Sequence, residues 1–410
     1  MVRLCASALA WMPTEMRILH IISSVDPLGG GPIEAILQLA AANSGLRQNV
    51  EVLSLDDPTE SFVRDFPLPV NAVGRGYLGY HYNPKFVPWL RTNLHRFDVA
   101  IVNGLWQYHS FGTWRALSGS RLPYVVYTHG MLDPWFKKTY PLKHLKKSLY
   151  WPWTDYRLLR DAGAVLFTCE QERLLASQSF SRYRANEVVV GLGISASAVD
   201  AETVREEFFA HFPHLRGKRL ALFLSRIHEK KGCDLLIQAF AREFATDPDW
   251  HLLLCGPDQT GLQAGLQKLA EELGIGNRLT WAGMVRGNMK WGAIHASEVF
   301  VLPSHQENFG IVVAEALACG VPALISNKVN IWQEVERGGA GLVANDDLEG
   351  TCQLLRQWQQ MTPESRDTMR ANTAPCFQQN FEAHHAAANL LGALHKVVQR
   401  ASGTTQEVSP

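Results

Sequence analysis

Continuous apolar runs alternate with helical segments from residue 17 to about residue 344, and this alternation limits the possible folds more than any other feature. Such runs are typical of parallel sheets that are covered by helices on both faces. Two series of such runs predict two doubly wound, Rossmann-like α/β domains. The predicted strands are 17–23, 49–55, 97–102, 122–127, 163–168 and 186–190 in the first series, and 219–224, 250–255, 278–282, 298–302 and 321–325 in the second.

The length and the interruptions of this pattern indicate how the chain is divided. At 410 residues the chain is too long for one ordinary domain. The alternation stops near 193–217, where small, polar and proline residues interrupt it, and the chain is predicted to be helical after residue 344. We therefore expect an N-terminal domain over 16–195, a C-terminal domain over 196–380, a final helix over 381–400 and a disordered tail over 401–410.

The first fifteen residues allow two interpretations. Arg3 is followed by a short apolar stretch, which also fits a signal peptide. Met16 and Arg17, however, open the first strand pattern in the way that a natural start of the chain would. We therefore expect residues 1–15 to be a disordered extension or the product of a mis-set start codon.

Composition excludes several classes of protein. Hydrophobic residues make up 46% of the chain and charged residues 19%, as in an ordinary folded soluble protein. The formal net charge is zero, so the chain as a whole carries no electrostatic footprint for nucleic acid. The seven cysteines lack the spacing of a zinc site and indicate reduced thiols, and no apolar run approaches the roughly 18–20 residues that span a bilayer. We therefore expect a cytoplasmic protein.

A segment of the second half, SHQENFGIVVAEALACG at 304–320, carries two glutamates separated by seven residues. It follows a predicted strand, and a strand, a glycine-containing loop and a helix in that order present backbone N–H groups where phosphate binds well. Glu307 lies in the predicted loop, whereas Glu315 lies more than one turn into the helix that starts near Gly310. A carboxylate at such a place can accept hydrogen bonds from sugar hydroxyls. Alone, the two glutamates are weak evidence, because surface helices are rich in glutamate.

A second motif, FLSRIHEKKGCDLL at 223–236, again runs from a predicted strand through a basic loop into a helix. The carboxyl ends of parallel strands meet at one crevice, so Arg226 and Lys231 are expected to face the helix N-terminus at Phe309 and Gly310. There the two cations would form a diphosphate clamp, with Lys231 exposed to solvent. A solvated charged loop is the alternative for this motif when it is taken alone.

Together these segments resemble the retaining glycosyltransferases of family 4, which have the GT-B fold and transfer sugars from nucleotide diphosphate donors. The matching segments cover nearly all of 219–344, and the N-terminal half matches more loosely at 17–32 and 127–135. The resemblance implies that the two domains face each other across a cleft and that the final helix packs back on the first domain. Within this family the chain is similar in kind to bacterial enzymes that build exopolysaccharide or cell-envelope glycans.

The resemblance also implies roles for particular residues. Arg226, Lys231 and the backbone N–H groups near Gly310 would stabilise the diphosphate leaving group, Glu307 would hold the donor sugar, and Glu315 the ribose. No metal and no cofactor is implied, because protein cations and a helix dipole supply the charge that Mg²⁺ supplies elsewhere. The expected catalytic residues are His129, Glu307, Arg226 and Lys231, and the expected donor-binding residues are Gly30, Gly31, Arg226, Lys231, Asn308, Phe309, Gly310, Ile311 and Glu315.

The first half contributes a glycine-rich loop and a histidine to this expectation. Gly30 and Gly31 precede Pro32, which suits the start of a helix, and the resemblance places this loop over the donor phosphates and the acceptor. A Rossmann dinucleotide site is the alternative, but the G-x-G-x-x-G pattern is absent. His129 follows a predicted strand, and in the family a histidine there contacts the donor sugar; a purely structural histidine is the alternative. Trp106 and His109 are further candidates for the acceptor side.

The segment 135–160 is strongly basic within a neutral chain. It holds seven Lys and Arg residues against one Asp, with aromatic residues interleaved. Such a surface can rest on anionic lipid, with tryptophans at the interface, whereas a solvated helix with an aromatic core face is the alternative. The residues expected at the lipid surface are Lys137, Lys138, Lys143, Lys146, Lys147, Trp135, Trp151 and Trp153.

The sequence thus predicts a metal-independent, retaining hexosyltransferase that uses a UDP- or GDP-linked sugar. Its acceptor would be a glycan or a lipid-linked glycan of exopolysaccharide or cell-envelope synthesis. The protein would be cytoplasmic, with peripheral contact to the inner face of the cytoplasmic membrane. A GT-B-fold nucleotide-sugar epimerase and a non-catalytic glycan-binding relative remain as alternatives.

Overall fold

The computed structural model describes residues 15–43, 48–195 and 199–403. The extension predicted at 1–15 lies outside these ranges except for residue 15, and the predicted tail lies outside them after residue 403. The described residues form two compact units. The first contains 15–167, 175–190 and 387–403 without the undescribed gap, and the second contains 168–174 and the described part of 191–386.

The first unit is built on a parallel sheet of seven strands. These are β1 (Arg17–Ile21), β2 (Asn49–Ser54), β3 (Val70–Ala72), β4 (Val99–Asn103), β5 (Tyr124–Tyr127), β6 (Ala164–Phe167) and β7 (Glu187–Val189). Their order across the sheet is β3-β2-β1-β4-β5-β6-β7, so the direction of winding reverses between β1 and β4. The helices are α1 (Gly31–Asn43), α2 (Ser61–Arg64), α3 (Phe86–Asn93), α4 (Tyr108–Leu117), α5 (Trp135–Thr139), α6 (Pro141–Tyr150), α7 (Asp155–Asp161) and α8 (Glu170–Ala176), which continues from the second unit.

Both faces of this sheet are buried, which explains why its strands are continuously apolar rather than alternating. Leu19 and Val102 pack into one core cluster, whereas their neighbours Ile18 and Ile101 pack into a second cluster on the other face. Successive residues of a strand point to opposite faces, so a run of apolar residues serves both clusters.

The second unit repeats the architecture with six parallel strands. These are β8 (Arg219–Leu224), β9 (Trp250–Cys255), β10 (Leu279–Gly283), β11 (Val299–Leu302), β12 (Ala323–Ser326) and β13 (Gly341–Ala344). Their order is β10-β9-β8-β11-β12-β13, with the reversal between β8 and β11. The helices are α9 (Ala201–His211), α10 (Cys233–Glu243), α11 (Gln263–Glu272), α12 (Asn288–His295), α13 (Ile311–Ala318), α14 (Trp332–Arg337), α15 (Leu348–Gln360) and α16 (Pro363–Asn380).

The final helix, α17 (Ala383–Ala401), starts in the second unit and packs on the first, as predicted for the returning helix. Leu390, Leu394 and Val397 are buried against the same face of the sheet as Ile18. Gly163 permits this approach, because a Cβ atom there would lie 2.5 Å from a methyl group of Val397. Each buried leucine contributes about 2 kcal/mol relative to an exposed one.

All eleven predicted strands are present, and the doubly wound α/β class is confirmed. The prediction missed β3 and β13, which are the edge strands of the two sheets. β3 has three residues, all partly exposed, so it lacks the apolar run that identifies a central strand. In open α/β sheets ligands bind beyond the carboxyl ends of the strands where the winding reverses, which here means after β1 and β4 and after β8 and β11.

Candidate active site

The loops that follow β8 and β11 are held together by backbone contacts. The backbone N–H of His305 donates to the carbonyl of Lys230 over 2.8 Å. Gly232, in the left-handed conformation at φ 67°, lies so close to Pro303 that a Cβ atom would overlap the Pro303 carbonyl oxygen. A glycine is therefore required here, and it fixes Lys231 immediately before α10.

Lys231 and Glu307 form a buried ion pair between these two loops. The Lys231 side chain is 4% exposed, so the prediction that it is exposed was wrong: the close approach of the loops encloses it. Burial raises the pKa of Glu307, but the charges of Lys231 and Lys230 and hydrogen bonds from Lys231 and the Asn308 N–H outweigh burial and hold the pKa below its usual value. Glu307 is thus an ionised carboxylate with a matched cation.

The backbone of Glu307 is fixed by the loop that follows β12. Its N–H donates to the carbonyl of Lys328, and its carbonyl accepts from the N–H of Asn330, both over 3.0 Å. Two parallel-sheet hydrogen bonds leave this residue little freedom, although it lies in a loop. The carboxylate is therefore preorganised before any ligand binds.

Gly310 starts α13 in the left-handed conformation, with φ 78°. A side chain there would press on Val313, Glu307 and Val329 at 3.2–3.3 Å. The preceding Phe309 is buried and packs edge-on against Phe381, which anchors the turn. The first N–H groups of a helix have no intrahelical partner, so α13 presents donors beside the Lys231–Glu307 pair. Asn308 and Ile311 flank this turn, and the amide of Asn308 donates to Thr168 of the same unit over 3.3 Å.

Glu315 is buried one turn into α13 and receives a hydrogen bond from Lys290 of α12 over 2.6 Å. The sequence prediction included Glu315 but missed Lys290. The sequence did contain a signal for Lys290, which is a basic residue soon after the carboxyl end of β10. Because β10 and β11 belong to the same parallel sheet, their carboxyl ends lie on the same side of it. The ion pair with Lys290 orients the Glu315 carboxylate.

The clamp hypothesis expected Arg226 to lie with Lys231 at the N-terminus of α13, but its guanidinium contacts another loop. Its exposed guanidinium donates to Gln259 over 3.3 Å, in the loop that follows β9. That loop is shaped by Asp258, whose carboxylate accepts backbone N–H groups between Thr260 and Gln263. Arg226 therefore lies at the same edge of the sheet as Lys231, but it is directed to a different loop.

The sequence contains one Asp-x-Asp segment, Asp247–Pro248–Asp249, a spacing that can bind a divalent cation. The segment directly precedes β9, at the amino end of the strand, whereas Glu307 lies beyond the carboxyl end of β11. Asp247 lies 3.6 Å from Arg219. This segment is therefore at the opposite edge of the sheet from the Lys231–Glu307 pair.

In the first unit, His129 belongs to a buried hydrogen-bond network beyond the carboxyl ends of β4 and β5. The Asn103 amide nitrogen donates to the carbonyl of Ile101 over 3.1 Å and lies 3.2 Å from His20 Nδ1, which fixes the amide orientation. Its Oδ1 therefore accepts from Nε2 of His129, 3.2 Å away. This assigns the proton of His129 to Nε2 and the lone pair to Nδ1. Asn103 was missed, although it is a polar residue that ends a buried strand.

Burial keeps these histidines neutral. It lowers the pKa of His129 to about 3, with a further contribution from His20, and the pKa of His20 and of His109 to about 4. His129 also has a left-handed backbone, with φ 48°, and stacks on Tyr127 with ring centroids 4.8 Å apart. It can therefore serve as a neutral hydrogen-bonding group rather than as an acid near neutral pH.

The glycine loop follows β1, and β1 is the neighbour of β4 in the sheet. Gly30 has φ 77°, and α1 begins at Gly31, one residue before Pro32. A Cβ atom at Gly30 or Gly31 would meet no described atom within 4 Å, so backbone conformation rather than crowding requires glycine at Gly30. The space around the turn is open to a ligand.

The basic segment 135–160 carries α5 and α6. Leu142, Leu145 and Leu149 form an exposed apolar stripe on α6, with exposed fractions of 81%, 59% and 72%. Trp153 is exposed, but Trp151 is buried in the core, so its predicted place at a lipid surface was wrong. His109 is also buried and bonds to the Asn103 carbonyl, so it does not face the acceptor side. None of the helices in the described ranges combines the length and hydropathy that a bilayer-spanning helix needs.

Comparison with known proteins agrees with this architecture. The model of Glycosyl transferases group 1 matches residues 204–374, and that of the Glycosyl transferase 4-like domain matches residues 30–193. HepE of Anabaena, whose structure contains UDP and glucose, superposes with a TM-score of 0.74 at 20% identity, over 93% of this chain and 100% of that protein.

Two enzymes illustrate the sequence relatives. The D-inositol 3-phosphate glycosyltransferase of Rhodococcus opacus is 33% identical over 252 residues, which are 57% of this chain and 55% of that enzyme. The chain thus spans about half the length of these relatives. The GDP-mannose:cellobiosyl-diphosphopolyprenol alpha-mannosyltransferase of Xanthomonas oryzae pv. oryzae is 22% identical over 93% of this chain and 97% of that enzyme.

Two doubly wound units, each with a reversal of winding in its sheet, together with these matches show the fold of GT-B glycosyltransferases. Each half of the chain thus matches a glycosyltransferase family model, the 4-like domain in the first half and group 1 in the second.

Proposed function

We propose that the protein transfers a sugar from a UDP- or GDP-linked donor to a glycan or lipid-linked acceptor, with retention at the anomeric carbon. The observation that carries this proposal is the Lys231–Glu307 pair beside the N-terminus of α13. A buried cation, free helix N–H groups and an ionised carboxylate together can hold a diphosphate and an adjacent sugar. The structure of HepE contains UDP, and the name of the Xanthomonas relative includes GDP-mannose. Both support this class of donor.

In this proposal the donor diphosphate contacts Lys231 and the N–H groups that follow Gly310, while Glu307 accepts from hydroxyls of the donor sugar. The bond from the anomeric carbon to the phosphate oxygen breaks, and a bond to the acceptor oxygen forms on the same face. The acceptor proton passes to the departing phosphate. Lys231 and the helix N-terminus stabilise the charge that develops on that phosphate, so the proposed step needs no metal ion.

The remaining predicted residues have supporting roles in the same proposal. Glu315 accepts from the ribose hydroxyls, and Lys290 keeps its carboxylate in place. Arg226 approaches the diphosphate from the loop after β8. His129 accepts a hydrogen bond from a hydroxyl of the donor sugar on Nδ1, the nitrogen that its bond to Asn103 leaves with the lone pair. The open turn at Gly30 and Gly31 covers the phosphates.

We also propose that the protein works at the inner face of the cytoplasmic membrane, in exopolysaccharide or cell-envelope synthesis. The exposed leucine stripe of α6 and the neighbouring lysines support this, because such a helix face suits the interface of an anionic bilayer. The Xanthomonas relative acts on a diphosphopolyprenol-linked sugar according to its name, which agrees with a membrane-bound acceptor.

The first test is a thermal-shift screen of UDP, GDP, ADP and their common sugars. A ligand present at a hundred times its Kd raises the free energy of unfolding by about 2.7 kcal/mol. We expect one nucleotide and its sugar to stabilise the wild type, and the Glu307→Gln variant to lose the additional stabilisation that the sugar provides over the nucleotide alone. Stabilisation by none of the nucleotides would contradict the proposal. Product analysis by NMR then separates transfer from epimerisation, because an epimerase converts the donor without an acceptor.

A further inference from the structure

A small cavity of about 60 Å³ in the first unit lies between α5, α6 and the residues near 106 and 180. Its aromatic walls include Trp106, Phe136 and Tyr140. Its polar lining consists of Lys143, His144, Lys147, Ser179 and one carboxylate, that of Asp133. Lys143 and Lys147 are four residues apart in α6, so they lie on the same side of the helix.

The two lysines contact aromatic rings rather than carboxylates within the described part of the chain. Lys147 Nζ lies 4.2 Å from the centre of the Trp106 ring, and Lys143 Nζ lies 4.9 Å from that of Tyr140. The carboxylates nearby are already engaged: Asp155 accepts from Ser110 and from the Trp106 N–H, and Asp133 accepts from the Trp135 N–H. Burial lowers the pKa of Lys147 and outweighs the carboxylate of Asp155, which raises it, while the charge of Lys143 lowers it further.

We propose that this cavity binds the phosphate group of a prenyl-type lipid phosphate or diphosphate, which carries the acceptor sugar. Lys143 and Lys147 donate to the phosphate oxygens, and His144 adds a third polar contact. The aromatic rings of the cavity wall contact the first prenyl groups next to the phosphate. This assignment rests on the proposed function, and it names the class of acceptor that the first unit recognises.

The test is calorimetric titration of the full chain with geranyl diphosphate, a short soluble prenyl diphosphate. An excess of the nucleotide found in the thermal screen occupies the diphosphate site of the second unit. Inorganic pyrophosphate and geraniol serve as probes for the phosphate and the lipid alone. We compare the variant Lys143→Gln/Lys147→Gln with Lys137→Gln/Lys138→Gln, which removes the same charge from exposed positions of α5 that do not line the cavity.

We expect Lys143→Gln/Lys147→Gln to weaken binding of geranyl diphosphate by at least about tenfold, and Lys137→Gln/Lys138→Gln by less than about twofold. Pyrophosphate should bind more weakly than geranyl diphosphate and follow the same order, and geraniol should not bind measurably. Equal losses in the two variants, unchanged binding in Lys143→Gln/Lys147→Gln, or tight binding of geraniol would overturn the assignment. The nucleotide screen is independent of these outcomes, so a failure of the lipid phosphate site and a failure of the donor proposal are distinguishable.

Discussion

Lys231 and Glu307 link the stability of the second unit to its proposed chemistry. Replacing Lys231 with Ala leaves Glu307 without its partner in a largely buried position. We expect the free energy of unfolding, measured by urea denaturation, to fall by roughly 3 kcal/mol, because breaking a buried pair costs more than the pair contributes. The thermal shift caused by the nucleotide should also be lost.

The double variant Lys231→Met/Glu307→Gln separates these two effects. It removes both charges, so no buried charge is left unpaired, and much of the lost stability should return. Nucleotide binding and sugar transfer should not return, because Met cannot donate to a phosphate. Recovery of transfer together with stability would mean that the pair has a structural role alone.

The buried histidines of the first unit predict a loss of stability in acid. Their pKa values are lowered in the folded state, so below pH 6.5 the unfolded chain binds protons that the folded chain does not. The contribution of these neutral histidines to the free energy of unfolding is therefore fully present above about pH 6.5 and decreases as the pH falls toward 4. At pH 5 one histidine with a folded pKa of about 4 costs about 2 kcal/mol relative to neutral pH.

The variant His109→Gln provides the check, since Gln can keep the bond to the Asn103 carbonyl but does not titrate. Urea denaturation at pH 7 and at pH 5 should show a smaller acid-induced loss in the variant, by about the contribution of one histidine. An equal loss in both proteins would show that His109 does not remain neutral in the folded state.

At the scale of elements, central strands and ligand-binding turns could be predicted from sequence, because both follow from local patterns. An apolar run identifies a strand that is buried on both faces, and glycine with neighbouring polar residues identifies a turn at its end. β3 and β13 were missed because an edge strand needs no such run. The burial of Lys231 and Trp151 could not be predicted, since it depends on which distant segments cover these side chains.

The same limit applies to α6, whose lysines were evident from the sequence and whose exposed leucines were not. We expect the wild type to co-sediment with anionic vesicles at low salt and to be released as salt increases, with about 1 kcal/mol from each lysine near the surface. Replacing Lys137, Lys138, Lys143, Lys146 and Lys147 with Gln should abolish binding. Replacing Leu142, Leu145 and Leu149 with Ser should weaken it while keeping its dependence on salt.

A wild type that ignores anionic vesicles at low ionic strength would contradict this prediction, as would a Gln variant that binds equally well. Vesicles of neutral lipid serve as the control, because the lysines give no attraction there. The leucine variant also tests the sequence interpretation of a solvated helix, under which neither set of substitutions would change sedimentation.

At the scale of the whole molecule, charge is distributed locally although the net charge is zero. Basic residues are concentrated in 135–160 and in the loop after β8, where anionic ligands are proposed to bind. The doubly wound plan places those loops beyond the carboxyl ends of strands, as the alternation of strands and helices predicted. Side chains in these loops, rather than the fold, determine which donor and acceptor the protein uses.

The proposed leaving-group chemistry predicts sugar transfer without a metal ion. Lys231 and the N-terminus of α13 supply positive charge where the diphosphate is expected, so transfer should continue in excess EDTA, with at most modest stimulation by Mg²⁺ through product release. The variant Asp247→Asn/Asp249→Asn should transfer at the wild-type rate, because this segment precedes β9 at the opposite edge of the sheet. Complete loss in EDTA, restored by Mn²⁺ or Mg²⁺, would show that a bound cation rather than these protein groups stabilises the departing phosphate. If the Asp variant also lost activity, Asp247 and Asp249 would be the first residues to examine as its ligands.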